Sequence, residues 1–174
     1  ENMSKRTLAA SLIGLISSAC LVAGGDAPSK TAATKPPVEE ARRQAEAMHT
    51  AIHSTLQAVH HRYYREDEGL PLPAALLKEV FSDLEKENGI ELRWLVVEGH
   101  AMNSDHKART KFETDAVAAL KDGKRSFERV ENGIYRRAGA VTLKNQCLKC
   151  HVPDRRSTQD RTAGLIVSMP IRPN

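Results

Sequence analysis

The sequence predicts an α+β domain, an antiparallel sheet with helices packed on one side. Three features support this: an apolar stripe at helical spacing near the start of the domain, several short runs with strand-like composition, and an Asn-Gly turn between two of those runs. The chain has 174 residues, of which 40% are apolar, 28% charged and 4% aromatic. That composition fits one globular domain and excludes collagen-like, Cys-rich and wholly disordered chains.

The N-terminal segment has the layout of an export signal followed by a tether. Two basic residues precede an apolar run over residues 8–16, which is shorter than the ~20 residues of a membrane-spanning helix. Small residues and then Cys20 follow, so either Cys20 is lipidated after cleavage or cleavage occurs nearby without a lipid. We expect residues 1–23 to be a signal peptide or lipoprotein signal and residues 24–37 a flexible linker. The protein would then lie in the periplasm or another extracytoplasmic space, with possible membrane attachment through Cys20.

Three helices are expected in the domain itself. The first begins at Val38 and carries apolar residues at every third or fourth position as far as Tyr63, which is the spacing of one helix face. The second is expected over residues 73–88, because it opens with a proline and is followed by Gly89, a common helix stop. A short third helix is expected over residues 111–121.

Four segments have the composition of strands. In chain order they are residues 90–97, 125–131, 134–142 and 163–170. Asn132 and Gly133 separate the second strand from the third, and this dipeptide favours the type I′ turn of a tight hairpin. The polar residues 98–110 predict a loop.

The most specific motif is Cys147-Leu148-Lys149-Cys150-His151. A C-x-x-C-H run is the attachment signal for c-type haem, in which two thiols bind one porphyrin and the adjoining histidine is an axial iron ligand. We therefore expect one covalent haem c per chain, held by Cys147 and Cys150, with His151 as the proximal ligand. The alternatives are a disulfide and a zinc site, but zinc prefers four ligands and the sequence has no second cysteine cluster.

The second axial ligand is expected on the first helix. His49, His53 and His60 recur there at helical spacing, along the edge of the apolar stripe. We expect His53 to be the ligand opposite His151, and His60 is the second choice. Bis-histidine ligation would give a six-coordinate iron of modest or negative potential.

Other assignments around the iron stay open. The histidines could be half-exposed helix residues and the iron five-coordinate. His106 is a minor candidate in the loop, whereas Met48 and Met169 are expected to be packing residues. Three arginines could neutralise the haem propionates through forked hydrogen bonds, and the alternative is that they are solvated strand charges: Arg93, Arg136 and Arg137.

The layout resembles the exported single-haem domains with a PAS-like fold, a family long catalogued as a domain of unknown function. The segments that carry the resemblance are Asn103-Ser-Asp-His-Lys-Ala108, Phe112-Glu113, Ala119-Leu120, Tyr135-Arg136, Cys147-Leu148-Lys149-Cys150-His151 and Gly164-Leu-Ile-Val-Ser-Met-Pro170. The resemblance implies a PAS-like haem-binding domain over residues 38–172. Two departures are that Ser104 and His106 replace the family's usual Pro and Asn, and that the first helix lacks the distal Cys of at least one member.

These observations favour a periplasmic single-haem cytochrome that acts as a redox or ligand sensor. The alternative is a small electron carrier between periplasmic or membrane redox proteins. An enzyme is not expected, because the sequence has no recognisable nucleophile–base pair, carboxylate pair or phosphate-binding glycine loop. Nucleic-acid binding is not expected either, since only 4% of residues are aromatic. The expected partner is a redox or signalling protein.

Overall fold

The computed structural model of the protein describes residues 35–101, 103–152 and 155–173. The expected signal over residues 1–23, Cys20 and most of the expected linker lie outside the described residues, as does Met102. The domain boundaries stay predictions.

Most of the predicted helices and strands are confirmed, with ends within two residues of their expected positions. In chain order the elements are α1 (Val38–Arg62), α2 (Pro73–Asn88), β1 (Glu91–Val96), α3 (Lys111–Lys121), β2 (Ser126–Glu131), β3 (Ile134–Leu143), α4 (Asn145–His151) and β4 (Arg161–Pro170). Short 3₁₀ turns lie at Glu66–Glu68 and at Ser104–His106. The second turn interrupts the expected loop, and α4 was not predicted.

The strands form one antiparallel sheet in the order β1-β4-β3-β2. The two central strands, β3 and β4, have ten residues each, and the shorter strands flank them. Asn132 and Gly133, between β2 and β3, have φ values of 53° and 69°, as a type I′ turn requires. The fold is therefore the α+β arrangement that the sequence predicts, with the N-terminal helices packed on an antiparallel sheet.

The prediction that the helices lie on one side of the sheet is wrong. Successive residues of a strand point to opposite faces, and β4 is apolar on both. Leu165 and Val167 join the core beneath α1 and α2, while Ile166 packs with Phe112 and Leu120 of α3 on the other face. A strand that is buried on both faces needs a packing partner on each face, and α3 packs on the face opposite α1 and α2.

Small residues and polar contacts hold α1 on the sheet. Its fully buried side chains are Ala41 and Ala45, which allow a close approach at the N-terminal end. Further along, His49 Nε2 lies 3.1 Å from one backbone carbonyl oxygen of β3 and Gln57 Nε2 donates to another at 2.7 Å. The C-terminal turns of α1 are thereby placed over one end of the sheet.

Among the described residues, no helix combines the length and the apolar character needed to cross a bilayer.

Candidate cofactor site

A cavity of about 950 Å³ lies between the helices and the end of the sheet face that α1 and α2 cover. Its floor is mainly apolar and comes from three strands: Trp94, Val96, Val141, Leu143 and Ala163. Its walls are the last turns of α1, the first turns of α2, the segment that carries His106, and α4. Pockets that bind small molecules have volumes of ~300–1,000 Å³, so this cavity is large enough for a sizeable cofactor.

The C-x-x-C-H motif forms α4, which is one wall of this cavity. Leu148 is fully buried and anchors the helix. Cys147 and Cys150 are three residues apart, so they lie on one helix face, and both line the cavity. They are unpaired thiols, one half-buried and one exposed. Burial raises the pKa of the Cys147 thiol.

His151 is the last residue of α4, and it also lines the cavity. Its carbonyl oxygen accepts a 3.1 Å hydrogen bond from the backbone N–H of His100. Burial lowers the pKa of His151, and the nearby His60 lowers it further. The structure therefore brings Cys147, Cys150 and His151 together at one wall of the cavity, as the sequence predicts.

Three more histidines line the same cavity, of which His61 is exposed. His60 belongs to the last turns of α1, and its ring centroid lies 4.9 Å from that of Tyr64. His106 belongs to the 3₁₀ turn after β1. Burial lowers the pKa of the His60 and His106 rings, and for His106 the charges of Lys78 and Arg93 add to the effect.

His53, the residue expected opposite His151, is not among the residues that line the cavity. Its Nε2 atom lies 3.4 Å from Gln57 Nε2, and its ring centroid lies 5.7 Å from that of His49. Burial and the charge of Lys144 lower its pKa. The first residues of α1 that line the cavity come after His53 in the helix.

Arg93 holds the turn that carries His106. Its guanidinium donates to the carbonyl oxygens of Asp105 and Lys107, and its Nη2 atom lies 2.6 Å from Glu113 Oε1. The Arg93 and Glu113 side chains are only 19% and 12% exposed. Arg93 therefore acts as a clamp between β1, the turn and the start of α3.

None of the three arginines expected to face the propionates lines the cavity. Arg93 binds the His106 turn instead. Arg137 lies beneath α1, where its Nη2 atom is 3.5 Å from Glu46 Oε1. Arg136 lines a smaller cavity on the α3 side of the sheet. The cations that do line the large cavity are Arg65, Lys78 and Lys149. They come from three separate segments, and no local pattern in the sequence marks them as a group.

Trp94 presents an unpaired hydrogen-bond donor. The residue lines the cavity, and its indole Nε1 atom is buried without a hydrogen-bond partner. Its ring packs on Phe81 with a centroid distance of 5.4 Å. Buried polar atoms normally have partners, so this N–H indicates a place for an acceptor. No sequence pattern marks this N–H as part of the site.

Within residues 35–101, 103–152 and 155–173, no group of three or more His, Cys, Asp or Glu side chains is arranged to hold a metal ion.

The family of this chain is identified by comparison with known proteins. No curated protein sequence matches this chain significantly. Among solved structures, the crystal structure of the cyanobacterial heme-protein Tll0287 matches with a TM-score of 0.58 and 15% sequence identity, over 78% of this chain and 98% of that chain. At that identity the match shows the fold alone. The sequence pattern of the Tll0287-like family matches residues 35–166, which is most of the chain. The protein therefore belongs to the Tll0287-like family.

Proposed function

We propose that the protein is an exported single-haem c-type cytochrome whose haem serves as a redox or ligand sensor. The observation that carries the proposal is the placement of α4, because both thiols of the C-x-x-C-H motif and His151 line one cavity of about 950 Å³. Membership of the Tll0287-like family supports it, and so does the fold shared with a protein described as a heme-protein.

The residues around the cavity fit a haem. Its floor is mainly apolar, as a porphyrin face requires, and Arg65, Lys78 and Lys149 are cations that could neutralise two propionates. The buried indole N–H of Trp94 lacks an acceptor, which a carboxylate or a ligand held in the cavity could supply. The lining thus offers apolar surface, positive charge and a free donor.

Each part of the chain would have a distinct role in holding the group. The thiols of Cys147 and Cys150 would each add across one vinyl C=C of the haem, with sulfur bonding to one carbon and hydrogen to the other, so that nothing is released. His151 would hold the iron through one ring nitrogen, and burial, which lowers the pKa of His151, favours the neutral imidazole that a metal needs. When bound, haem supplies an iron that exchanges one electron or binds a small ligand.

A sensor role is supported by the way α1 is held. This helix forms a wall of the cavity, yet its fully buried side chains are two alanines and the rest of its contact with β3 includes polar bonds. Met48 and Ile52 of the same helix pack on the core beneath it, so α1 connects the cavity wall to the rest of the domain. A change at the iron could therefore be passed along α1 to a partner.

Electron transfer is the second candidate, and the surface around α4 favours it. Lys149 and Arg156 are exposed on α4 and the segment after it, as is Cys150, whereas Lys144 forms an ion pair with Asp160 at 2.6 Å. Positive charge near the haem edge would steer an acidic redox protein and raise its association rate. We propose neither an enzymatic activity nor a nucleic-acid partner.

Haem staining of a denaturing gel tests the proposal. The full chain is produced in a bacterial host with haem-attachment machinery, and its periplasmic and membrane fractions are analysed. We expect a stained band in those fractions and an intact mass increased by one haem. Cys147→Ser with Cys150→Ser should abolish the stain, whereas Cys20→Ser, the matched control outside the motif, should keep it. A wild-type protein that carries no covalent haem under these conditions would refute the proposal.

Redox titration and ligand binding then separate the two candidate roles. Rapid binding of carbon monoxide to the ferrous protein would favour ligand sensing. Salt-dependent electron exchange with ferricyanide, slowed by Lys149→Glu, would favour electron transfer through the basic surface.

A further inference from the structure

We propose that His60, rather than His53, is the side chain that binds the iron opposite His151. This inference rests on the proposed function, because it assumes a haem attached at α4. Nothing in the motif specifies the second ligand, so the assignment depends on which imidazoles reach the cavity and from which side.

The first step is access to the cavity. Four imidazoles line it: His60, His61, His106 and His151. Of the two on α1, His60 is half-buried and His61 is exposed. The first α1 residues in the lining are Leu56 and Gln57, so the cavity begins beyond His53 along the helix. His60 follows Gln57 by three residues and shares its helix face, which directs the His60 ring toward the cavity.

The second step is the position of each wall. α1 is fixed to β3, because Gln57 Nε2 donates a 2.7 Å hydrogen bond to the carbonyl oxygen of Thr142. His151 is fixed to the loop after β1 by the bond from His100. β4 lies between β1 and β3, so the strand that anchors α1 and the strand that leads into the His100 loop are not neighbours in the sheet.

The third step excludes His106. The turn that carries it is bound by Arg93 of β1 and follows the loop that holds His151. His106 and His151 are therefore held from the same side of the sheet. Two axial ligands approach one iron from opposite faces of the porphyrin. Of the three remaining imidazoles in the lining, His60 and His61 belong to the α1 wall, and His60 is the half-buried one. His106 is left free of the iron.

Spectra of three alanine variants test the assignment. We expect the ferric wild-type protein to be low-spin by absorption and by electron paramagnetic resonance. His60→Ala should lose the low-spin signal and gain a high-spin one, and free imidazole should restore the low-spin form. His53→Ala is the matched control, since it removes a half-buried imidazole from the same helix, and His106→Ala tests the rival. Both should keep the wild-type spectrum.

A haem-stained gel and circular dichroism accompany each spectrum. Stained, folded His60→Ala protein that stays low-spin would overturn the assignment and leave the proposed function standing, as would loss of the low-spin signal in His53→Ala or His106→Ala. A high-spin wild-type protein would overturn it in the same way. Absence of stain in the wild type would instead refute the proposed function together with this inference.

If His60→Ala fails to fold, His60→Met is the second variant that tests the assignment. A methionine ligand should raise the midpoint potential of the haem, and an unchanged potential would overturn the assignment.

Discussion

The backbone N–H of His100 donates a 3.1 Å hydrogen bond to the carbonyl oxygen of His151. This bond joins the end of α4 to the loop that follows β1. The last carbonyls of a helix have no partner within the helix, so the loop satisfies one of them at the end of the C-x-x-C-H motif. The main chain of His151 is therefore held by a contact between segments far apart in the sequence.

Gly99 is required for that contact. Its φ is +81°, and an added Cβ would lie 2.7 Å from the His151 oxygen and 2.8 Å from a methyl carbon of Val152. We expect Gly99→Ala to lower the free energy of unfolding by about 2 kcal/mol, because it adds a steric clash to a strained backbone conformation. Urea denaturation followed by circular dichroism measures the change.

Gly123→Ala is the matched control for this prediction. Gly123 has nearly the same φ, +84°, but nothing lies within 4 Å of its added Cβ. Only the backbone cost of about 1 kcal/mol should then apply. Equal losses in the two variants would show that the contact with His151 does not constrain position 99.

The Arg93–Glu113 pair should stabilise the fold more than an ordinary surface ion pair. Its N–O distance is 2.6 Å, and both side chains are largely buried. Arg93→Ala would remove the guanidinium from Glu113 Oε1 and from two turn carbonyls. Glu113 Oε2 would keep its two backbone N–H donors, and we expect a loss of about 2 kcal/mol in the free energy of unfolding. Thermal and urea unfolding would measure it.

Lys111 provides the comparison for Arg93. Its ammonium lies 2.9 Å from Asp115, but the Lys111 side chain is 81% exposed. Lys111→Ala should change the free energy of unfolding by less than about 1 kcal/mol, as is usual for exposed pairs. If Arg93→Ala destabilised the protein no more than Lys111→Ala, the clamp on the His106 turn would be energetically unimportant.

The helices and strands could be predicted because their signals are local. Pro73 opens α2 and Gly89 ends it with a φ of 67°, and Asn132 with Gly133 sets the hairpin turn. Each of these residues acts on its own backbone, so no knowledge of the fold is needed. By contrast, no local signal predicts on which side of the sheet α3 packs, because this depends on which face of β4 remains uncovered.

The candidate site could be predicted only where the motif is contiguous. Cys147, Cys150 and His151 lie within one short helix and so share one wall. Both His53 and His60 follow the periodicity of α1, so the helical pattern alone does not decide which of them lines the cavity. Which of them reaches the cavity depends on where the helix is anchored to β3, and that anchor joins residues 85 positions apart. Helical periodicity carries no information about such a contact.

Gly139 should be needed for the close packing of α1 on β3. An added Cβ would lie 2.4 Å from Cδ2 of His49 and 2.8 Å from Nη1 of Arg137. We expect Gly139→Ala to cost about 1–3 kcal/mol of stability through overpacking. His49→Ala removes the ring that the methyl group meets, so the double variant should lose less than the sum of the two single losses. Strict additivity in urea unfolding would contradict this account.

The stability of the protein should fall in mild acid, in part because of His49. Burial, Arg137 and His53 lower the pKa of His49 below its ordinary 6.5. The unfolded chain therefore takes up this proton more readily than the folded protein, so the contribution to stability is complete above pH 6.5 and is lost as the pH falls below that value. The pH range in which this contribution is lost begins at 6.5, above the ordinary pKa of 4.5 for glutamate carboxyls such as Glu113. His49→Gln should give a smaller decline in the urea midpoint between pH 6.5 and 4.5, whereas His61→Gln, an exposed histidine of the same helix, should decline like the wild type. The same decline in both variants would show that protonation of His49 is not linked to unfolding.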